Sequence, residues 1–365
     1  MRVGFYVGTL NDPVANAARV FRAWGEYLAG THELELYGAT DGLPTAVTDP
    51  YDHVETVEVV GGEPVADIRG ARAATIAYCR RRCPDLVGQV WKYKVHAPGV
   101  SIAARQSGVP VLIRYQGDTF NEFRALSGLR RAGVFALDHV VGRLPLRLAS
   151  HAIVLGPYGR RQVTARGVDE RRTTVLPPPL DPEGRFTPPA DREDAKKALD
   201  LPTDRPVALY VGRLTRLKGM PFLREVVQLV TADRELTFVL VGEGPMKKTL
   251  ERAGDRADVR TPGFVAPSAV PDYYRAADVY VHPSPYEGIP LVVLEALETE
   301  LPVVARDAGD IGSVIDTTVE RPGSMAAFLC RDPASWETTW RNRELFDRST
   351  QRERLERAMA EAVRR

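Results

Sequence analysis

Short apolar runs alternate with longer amphipathic stretches along the first half of the chain. The runs have the length and branched side chains of buried strands, and the stretches between them have the length of helices. The pattern predicts strands at residues 2–7, 34–37, 54–59, 86–91, 109–115 and 152–155, and helices that include residues 15–28, 67–82 and 99–106. Strands followed by helices in this way are typical of a parallel sheet wound by helices.

A proline-rich break separates this half from a second one. Prolines at 177–179 and again at 188–189 prevent a helix or a central strand from continuing here. The alternation then restarts. It predicts strands at 207–211, 237–241, 259–265, 279–282 and 302–305, helices at 220–230, 246–253, 270–276 and 290–298, and a charged amphipathic helix at 351–365.

The two halves predict an α/β protein with two Rossmann-like domains that face a central cleft. We place the domains at 1–185 and 186–340, followed by a C-terminal helix at 341–365 for which packing back on the first domain is one option. Ligands in such folds bind at the carboxyl ends of the strands. The pattern alone does not choose among kinases, dehydrogenases, epimerases and transferases.

Length, composition and charge limit the class of protein and its location. A chain of 365 residues suits two domains, and its net charge of +1 gives no electrostatic reason to bind nucleic acid. The N-terminus has the pattern of a buried strand rather than a signal peptide, and no apolar run is long enough to span a membrane, so we expect a cytoplasmic protein. Cys79 and Cys83 lie one helical turn apart without further nearby ligands, so no metal site is expected.

The most informative motif covers residues 284–296, between a predicted strand and a predicted helix. Pro290 suits the first helical turn, whose free N–H groups can receive an anion. Glu287 comes just before that helix. Glu295 lies inside it among apolar residues, where an unpaired carboxylate costs several kcal/mol. The two hydroxyls of a ribose would satisfy Glu295; a solvent-facing position or an arginine partner are the alternatives.

A second motif joins a predicted strand to a helix through a basic loop. Gly212 ends the strand, and Arg213 and Lys218 follow. Both cations could meet a diphosphate there, because arginine clamps phosphate oxygens in a bidentate way and lysine supplies a point charge. The alternative is an ordinary solvated loop.

Two glycine turns accompany these motifs. Gly242 and Gly244 follow the strand at 237–241, and Gly263 and Val265 belong to a later turn where backbone groups could meet a base. Each turn is weak evidence alone, since a tight turn before a helix uses the same residues.

Together these motifs resemble the large family of retaining GT-B glycosyltransferases that includes sucrose synthase-like enzymes, mannosyltransferases and bacterial cell-envelope enzymes. Members carry a Gly-Arg-Leu-x3-Lys-Gly loop, a Val-Gly-x-Gly-Pro turn and a Glu-x7-Glu motif, which this chain has at 212–219, 241–245 and 287–295. The resemblance spans most of the chain. It implies that the first domain binds the acceptor and the second binds the nucleotide-sugar.

The resemblance also implies a role for each motif. Arg213 and Lys218 would neutralise the donor diphosphate. Glu295 would hold the ribose, and Glu287 would contact the transferred sugar. Further donor contacts would come from the glycine turns and from the start of the last helix, at Gly212, Gly242, Gly244, Val265, Gly288, Ile289 and Leu291.

The first half departs from the family pattern in two places. The Gly-Gly turn after the first strand is here a single glycine, Gly8, which permits close approach of a substrate or forms a simple turn. Many relatives place a histidine after the strand at 109–115, where this chain has Gln116 followed by Asp118. Both are hydrogen-bond candidates for sugar or acceptor. His96 is the alternative, or else an ordinary histidine at a helix start or on the surface.

We therefore expect a retaining transferase that moves a sugar from a UDP- or GDP-sugar to a hydroxyl acceptor. Stabilising the leaving diphosphate matters more in such a reaction than a protein nucleophile. The nucleotide-sugar is a co-substrate, and no cofactor is expected. The sequence has no Asp-x-Asp motif, so we expect positive side chains to replace a divalent metal. A nucleotide-sugar epimerase of the same fold and a catalytically silent nucleotide-sugar-binding protein remain as alternatives.

A lipid, a glycan or a small metabolite each fits the sequence as the acceptor. Residues 124–147 mix apolar side chains with arginines, and residues 67–82 are also basic. Such a surface could make peripheral contact with an anionic membrane; the alternative is two ordinary helices with solvated arginines.

Overall fold

The computed structural model describes residues 1–8, 16–57, 64–118, 120–233, 235–253 and 258–364. The chain divides into two compact units, Met1–Pro182 with Glu344–Arg365, and Glu183–Arg343. Parts of four sequence predictions lie outside the described residues: the turn after the first strand, the strand end at Val59, the helix start at Ala15 and the chain end at Arg365.

The first unit contains a parallel sheet. Its strands are β1 (Arg2–Val7), β2 (Glu33–Gly38), β3 (His53–Thr56), β4 (Leu86–Gln89), β5 (Val111–Tyr115), β6 (His151–Val154) and β7 (Thr173–Val175). They form one seven-stranded sheet in the order β3-β2-β1-β4-β5-β6-β7. The hydrophobic pattern did not predict β7, because three residues are too few to show a period.

The second unit repeats this architecture. Its strands are β8 (Val207–Val211), β9 (Thr237–Val241), β10 (Asp258–Gly263), β11 (Val279–His282), β12 (Val303–Arg306) and β13 (Thr318–Val319). They form a six-stranded parallel sheet in the order β10-β9-β8-β11-β12-β13. Two parallel-sheet α/β units confirm the predicted Rossmann-like fold class.

Helices follow most strands. In chain order they are α1 (Asn16–Leu28), α2 (Thr45–Thr48), α3 (Pro64–Arg82), α4 (Tyr93–Ser107), α5 (Gly128–Ala136), α6 (Arg143–Leu148), α7 (Pro157–Thr164), α8 (Arg192–Ala198), α9 (Met220–Asp233), α10 (Lys247–Glu251), α11 (Val270–Ala276), α12 (Leu291–Glu298), α13 (Pro322–Leu329) and α14 (Arg348–Val363). No helix among the described residues is long and apolar enough to cross a membrane.

The predicted start of α4 at residue 99 was wrong. The helix begins at Tyr93 and carries Pro98 in its interior. A proline removes one backbone hydrogen bond and strains the preceding turn, so sequence reasoning favours a break there. Burial of the flanking residues Ala97 and Val100, which are both 0% exposed, keeps the helix continuous.

Side chains from both faces of the first sheet are buried. Along β1, Val3 and Phe5 join an apolar cluster that also contains Met359 of α14, while Tyr6 joins a second cluster with Tyr78 of α3. Successive residues of a strand point to opposite faces, so the continuous apolar run of β1 reflects helices on both sides. The C-terminal helix α14 thus covers one face of the first unit's sheet.

Both sheets reverse their strand order at one place. In the first unit the reversal lies between β1 and β4, and in the second between β8 and β11. Ligands of doubly wound folds bind outside the carboxyl ends of the strands at this point. The loops after β8 and β11 are therefore the first place to look for a site in the second unit.

Candidate functional site

The loop after β8 carries two of the predicted cations. It passes through a short 3₁₀ turn at Arg216–Lys218, where the Thr215 hydroxyl accepts a hydrogen bond from the Lys218 N–H. Gly219 has a φ of 78°, and a Cβ added to it would lie 2.0 Å from the carbonyl oxygen of Pro283. Only glycine fits that contact, which packs this loop against the loop after β11.

Lys218 and Glu287 meet where these two loops touch. Lys218 Nζ donates to Glu287 Oε1 at 2.7 Å. His282, the last residue of β11, is buried beside the same carboxylate, with its Nε2 3.4 Å from Oε1 but not aligned for a hydrogen bond. Sequence analysis did not single out His282. The available signal was a polar residue ending an otherwise apolar strand next to the reversal of strand order.

Glu287 is a carboxylate at neutral pH. Burial favours its neutral form, but the neighbouring His282 ring and Lys218 ammonium outweigh burial and lower the pKa of Glu287 to about 2. A group with this pKa has no proton to give to a leaving group. It can accept hydrogen bonds from hydroxyls and stabilise positive charge.

Arg213 lies at the start of the same loop and is exposed. Its backbone carbonyl accepts a hydrogen bond from the Tyr210 hydroxyl at 3.1 Å, which fixes the main chain. Within the described part of the chain, the Arg213 guanidinium forms no ion pair. A charged guanidinium on a fixed backbone, in the same loop as Lys218, is suited to a bidentate contact with phosphate oxygens.

The glycine turns hold neighbouring loops together. Gly242 donates its N–H to the Gly263 carbonyl at 2.8 Å, and a Cβ added to Gly242 would lie 2.1 Å from the Gly212 carbonyl oxygen. Gly244 has the same restriction against the Leu214 carbonyl oxygen, at 2.4 Å. These glycines let three loops approach closely at the carboxyl edge of the sheet. Val265, after β10, is half-buried.

The turn before α12 is buried and packed on the loop after β12. Gly288, Ile289 and Leu291 are all buried. The Asp310 N–H donates to the Gly288 carbonyl at 3.0 Å, and a Cβ on Gly309 would lie 2.0 Å from the Glu287 carbonyl oxygen. The helix begins at Leu291, one residue after the predicted start, with Pro290 as its N-cap residue. The first turn of a helix leaves N–H groups that can meet an anion.

Glu295 is buried within α12, at 8% exposure. The Tyr274 hydroxyl of α11 lies 3.1 Å from Glu295 Oε2 and 3.1 Å from the Val292 carbonyl oxygen. The solvent-facing alternative for Glu295 is therefore wrong. A buried carboxylate with a phenol donor beside it has the chemistry to accept hydrogen bonds from a diol.

In the first unit, Gly8 lies against His96. A Cβ added to Gly8 would lie 2.0 Å from the His96 Cε1 atom. His96 is 2% exposed in the first turn of α4, and its Nδ1 lies 3.0 Å from the Trp91 carbonyl oxygen. Burial, aided by the charge of Lys92, lowers the pKa of His96 to about 4. The group that packs closely against Gly8 is thus the neutral imidazole of His96. The alternative of a surface position for His96 is wrong.

Gln116 and Asp118 take part in two separate contacts after β5. The Gln116 amide oxygen accepts a hydrogen bond from Arg114, a buried residue of β5. Asp118 Oδ1 accepts hydrogen bonds from Asn121 at 2.7 Å and from the Tyr158 hydroxyl at 2.8 Å. These bonds fix the Asp118 side chain in the loop. Sequence analysis missed Arg114 because it lies within an apolar strand.

No group of three or more His, Cys, Asp or Glu side chains in the described ranges is placed to hold a metal ion.

A family model described as "Glycosyl transferases group 1" matches residues 205–339, which include the loops of the second unit described above. Among curated relatives, the 2-deoxystreptamine glucosyltransferase of Streptomyces kanamyceticus is 30% identical over 274 residues, which cover 70% of each chain. The putative teichuronic acid biosynthesis glycosyltransferase TuaC of Bacillus subtilis is 31% identical over 215 residues. That match covers 59% of this chain and spans about half of TuaC, 51%.

Solved structures share the fold over the whole chain. The sucrose-phosphate synthase of Thermosynechococcus elongatus matches with a TM-score of 0.71 and 23% identity, covering 100% of this chain and 96% of that one. The Anabaena HepE protein in complex with UDP-glucose matches with a TM-score of 0.64 and 18% identity, covering 100% and 95%. The fold is therefore that of the GT-B glycosyltransferases.

Proposed function

The chain belongs to the group 1 glycosyl transferases, and from this premise we propose that it is a retaining, metal-independent glycosyltransferase. It transfers a sugar from a UDP- or GDP-sugar to a hydroxyl acceptor. The observation that carries the proposal is the Lys218–Glu287 pair, which stands at the reversal of strand order. Arg213, in the same loop as Lys218, forms no ion pair with a described carboxylate. The UDP-glucose bound to HepE, a protein of the same fold, supports a nucleotide-sugar as the donor.

The chain's own groups suit this reaction. An ammonium has three N–H donors, so Lys218 can keep its hydrogen bond to Glu287 and still donate to a phosphate oxygen. Arg213 adds a bidentate contact as negative charge grows on the leaving diphosphate. Glu287 stays ionised and accepts hydrogen bonds from sugar hydroxyls, while Glu295 with Tyr274 receives the ribose. The released phosphate oxygen accepts the proton of the acceptor hydroxyl on the same face of the sugar, which retains configuration.

A screen of UDP-, GDP-, ADP- and TDP-sugars tests this function. Tight binding of one donor, slow hydrolysis without acceptor and sugar transfer with acceptor are expected. An epimerase would instead return an isomerised nucleotide-sugar, and a binding protein would leave its ligand intact. Either result would replace the transferase proposal.

We also propose that residues 124–147 form a basic surface that rests on an anionic membrane. None of the residues of α5 is buried, and Leu129, Phe135 and Val140 are 92%, 46% and 72% exposed. The arginines of the surface are all exposed, and none forms an ion pair with a described carboxylate: Arg124, Arg130, Arg131, Arg143 and Arg147. The sole acid of the stretch, Asp138, is buried and pairs with Lys94 at 3.0 Å. Apolar side chains among arginines that have no described carboxylate partner suit an anionic lipid surface.

Vesicle flotation tests the basic surface. The chain is expected to float with vesicles that contain phosphatidylglycerol and to remain in solution with pure phosphatidylcholine. Arg130→Glu with Arg131→Glu should abolish flotation, whereas Arg69→Glu with Arg80→Glu, on the exposed side of α3, should not. Equal flotation on both vesicle types, or no effect of the first pair, would contradict membrane contact.

A further inference from the structure

Of the two buried cations in the described chain, one is matched by an opposite charge and one is not. Lys196 and Arg114 are the buried lysine and arginine residues of the described chain. Lys196 Nζ lies 2.7 Å from a carboxylate oxygen of Asp278. Arg114, at 4% exposure, forms no ion pair with any described carboxylate. An unmatched charge away from water is strongly unfavourable, so its presence calls for an explanation.

The surroundings of Arg114 do not neutralise it. Its Cα pairs with that of Ile153 on β6, so its side chain leaves the sheet on the face of an apolar cluster that contains Ile153. The hydrogen-bond partner of its guanidinium is the neutral amide oxygen of Gln116. Burial lowers the pKa of Arg114 to about 10, which still leaves it protonated at neutral pH. A guanidinium has five N–H donors, and a single amide oxygen cannot accept hydrogen bonds from all of them.

Arg114 lies in the part of the sheet where doubly wound folds bind ligands. It is the penultimate residue of β5, and β5 lies next to β4, at whose edge the strand order reverses. Gln116 is two residues further on and half-buried, at the carboxyl edge of the sheet. Residues two apart on an extended strand face the same way, so Gln116 stands between Arg114 and that edge.

We propose that Arg114 binds an anionic group, a phosphate or a carboxylate, on the acceptor. The guanidinium fork matches either group in a bidentate way. The anion takes the place of the Gln116 amide oxygen, because a charged acceptor binds a guanidinium more strongly than a neutral one. This inference rests on the proposed transferase function and deepens it, since it restricts the acceptor to hydroxyl compounds that carry negative charge.

Calorimetry on the full chain, with UDP present to occupy the donor loops, tests Arg114. The probes are glucose 6-phosphate, glucuronate and glucose, which separate phosphate, carboxylate and neutral sugar. The wild type should bind at least one charged probe about tenfold more tightly than glucose, the scale of a charge-assisted pair. Arg114→Met should lose this difference, and Arg114→Lys should keep part of it. Arg216→Ala, at an exposed residue of the second unit, should leave the difference intact.

A second variant guards against a purely structural effect. Gln116→Ala removes the competing amide oxygen and should tighten binding of the charged probe, which a loss of packing would not do. Equal affinities for charged and neutral probes in the wild type, or an unchanged preference in Arg114→Met, would overturn the inference while UDP binding stands. Absence of binding to both UDP and GDP would instead count against the proposed transferase. The Arg114 comparison can also be made without a nucleotide, so the two failures are distinguishable.

Discussion

The Nζ atom of Lys218 lies 2.7 Å from Oε1 of Glu287, a residue 69 positions further along the chain. The contact links the loops after β8 and β11 and makes the two residues depend on each other. The ammonium helps to keep Glu287 ionised, and the carboxylate holds the ammonium in place where the two loops touch. Each consequence of this arrangement can be measured.

Removal of either cation should weaken nucleoside diphosphate binding. Arg213→Ala and Lys218→Ala are each expected to cost roughly 1.5–3 kcal/mol of affinity for UDP or GDP, the scale of charge-assisted hydrogen bonds. Arg216→Ala is the matched control, since Arg216 is exposed in the same loop. Calorimetry should show little change for the control. Unchanged affinity in both test variants, with the fold intact, would remove these cations from the site.

Ionisation of Glu287 should make the unfolding free energy of the protein depend on pH. Its folded pKa of about 2 lies below its usual value of 4.5, so its contribution is present above about pH 4.5 and is lost as the pH falls toward 2. A shift of this size corresponds to roughly 3 kcal/mol of unfolding free energy. Urea unfolding of wild type and Glu287→Gln between about pH 5 and about pH 2, which spans this titration, should show the two curves converging in acid. Parallel curves would mean that Lys218 does not hold Glu287 ionised.

The two glutamates of the motif should separate kinetically. Glu295 is assigned to the ribose, which does not react, so Glu295→Gln should mainly raise KM for the donor. Glu287 is assigned to the sugar, where charge develops, so Glu287→Gln should mainly lower kcat. Free UDP or GDP, which lacks the sugar, should lose affinity for the Glu295 variant and scarcely respond to the Glu287 variant. Normal turnover and nucleotide binding in both variants would mean that the motif has only a structural role.

The product should keep the donor's anomeric configuration, and activity should survive EDTA. The expectation rests on Glu287 and Glu295 in their motif, on the cations Arg213 and Lys218, and on the lack of an Asp-x-Asp sequence. Proton NMR of the product and a chelator titration provide the readouts. An inverted product would argue against the proposed mechanism, and full loss of activity on chelation would require a metal in place of the cations.

Hydrophobic periodicity by itself determined where the longer strands lie. The bounds predicted for β8, β9 and β11 agree with the structure, because a buried parallel strand is a continuous apolar run between polar ends. The same reasoning missed β13, which has two residues. It also predicted the two Rossmann-like units and placed Glu287, Lys218 and Arg213 at strand ends, since motif and strand boundary are both local in sequence.

Only the tertiary structure decided which side chains meet. The order of strands in the second sheet brings His282 and Lys218 to Glu287, and the packing of α11 on α12 gives Glu295 its tyrosine partner. The structure likewise leaves Arg114 buried without a counter-charge among the described residues. Such pairings depend on contacts between residues far apart in sequence. A local pattern of apolar and polar positions carries no record of them, because it fixes the face on which a side chain lies but not its neighbour across the sheet.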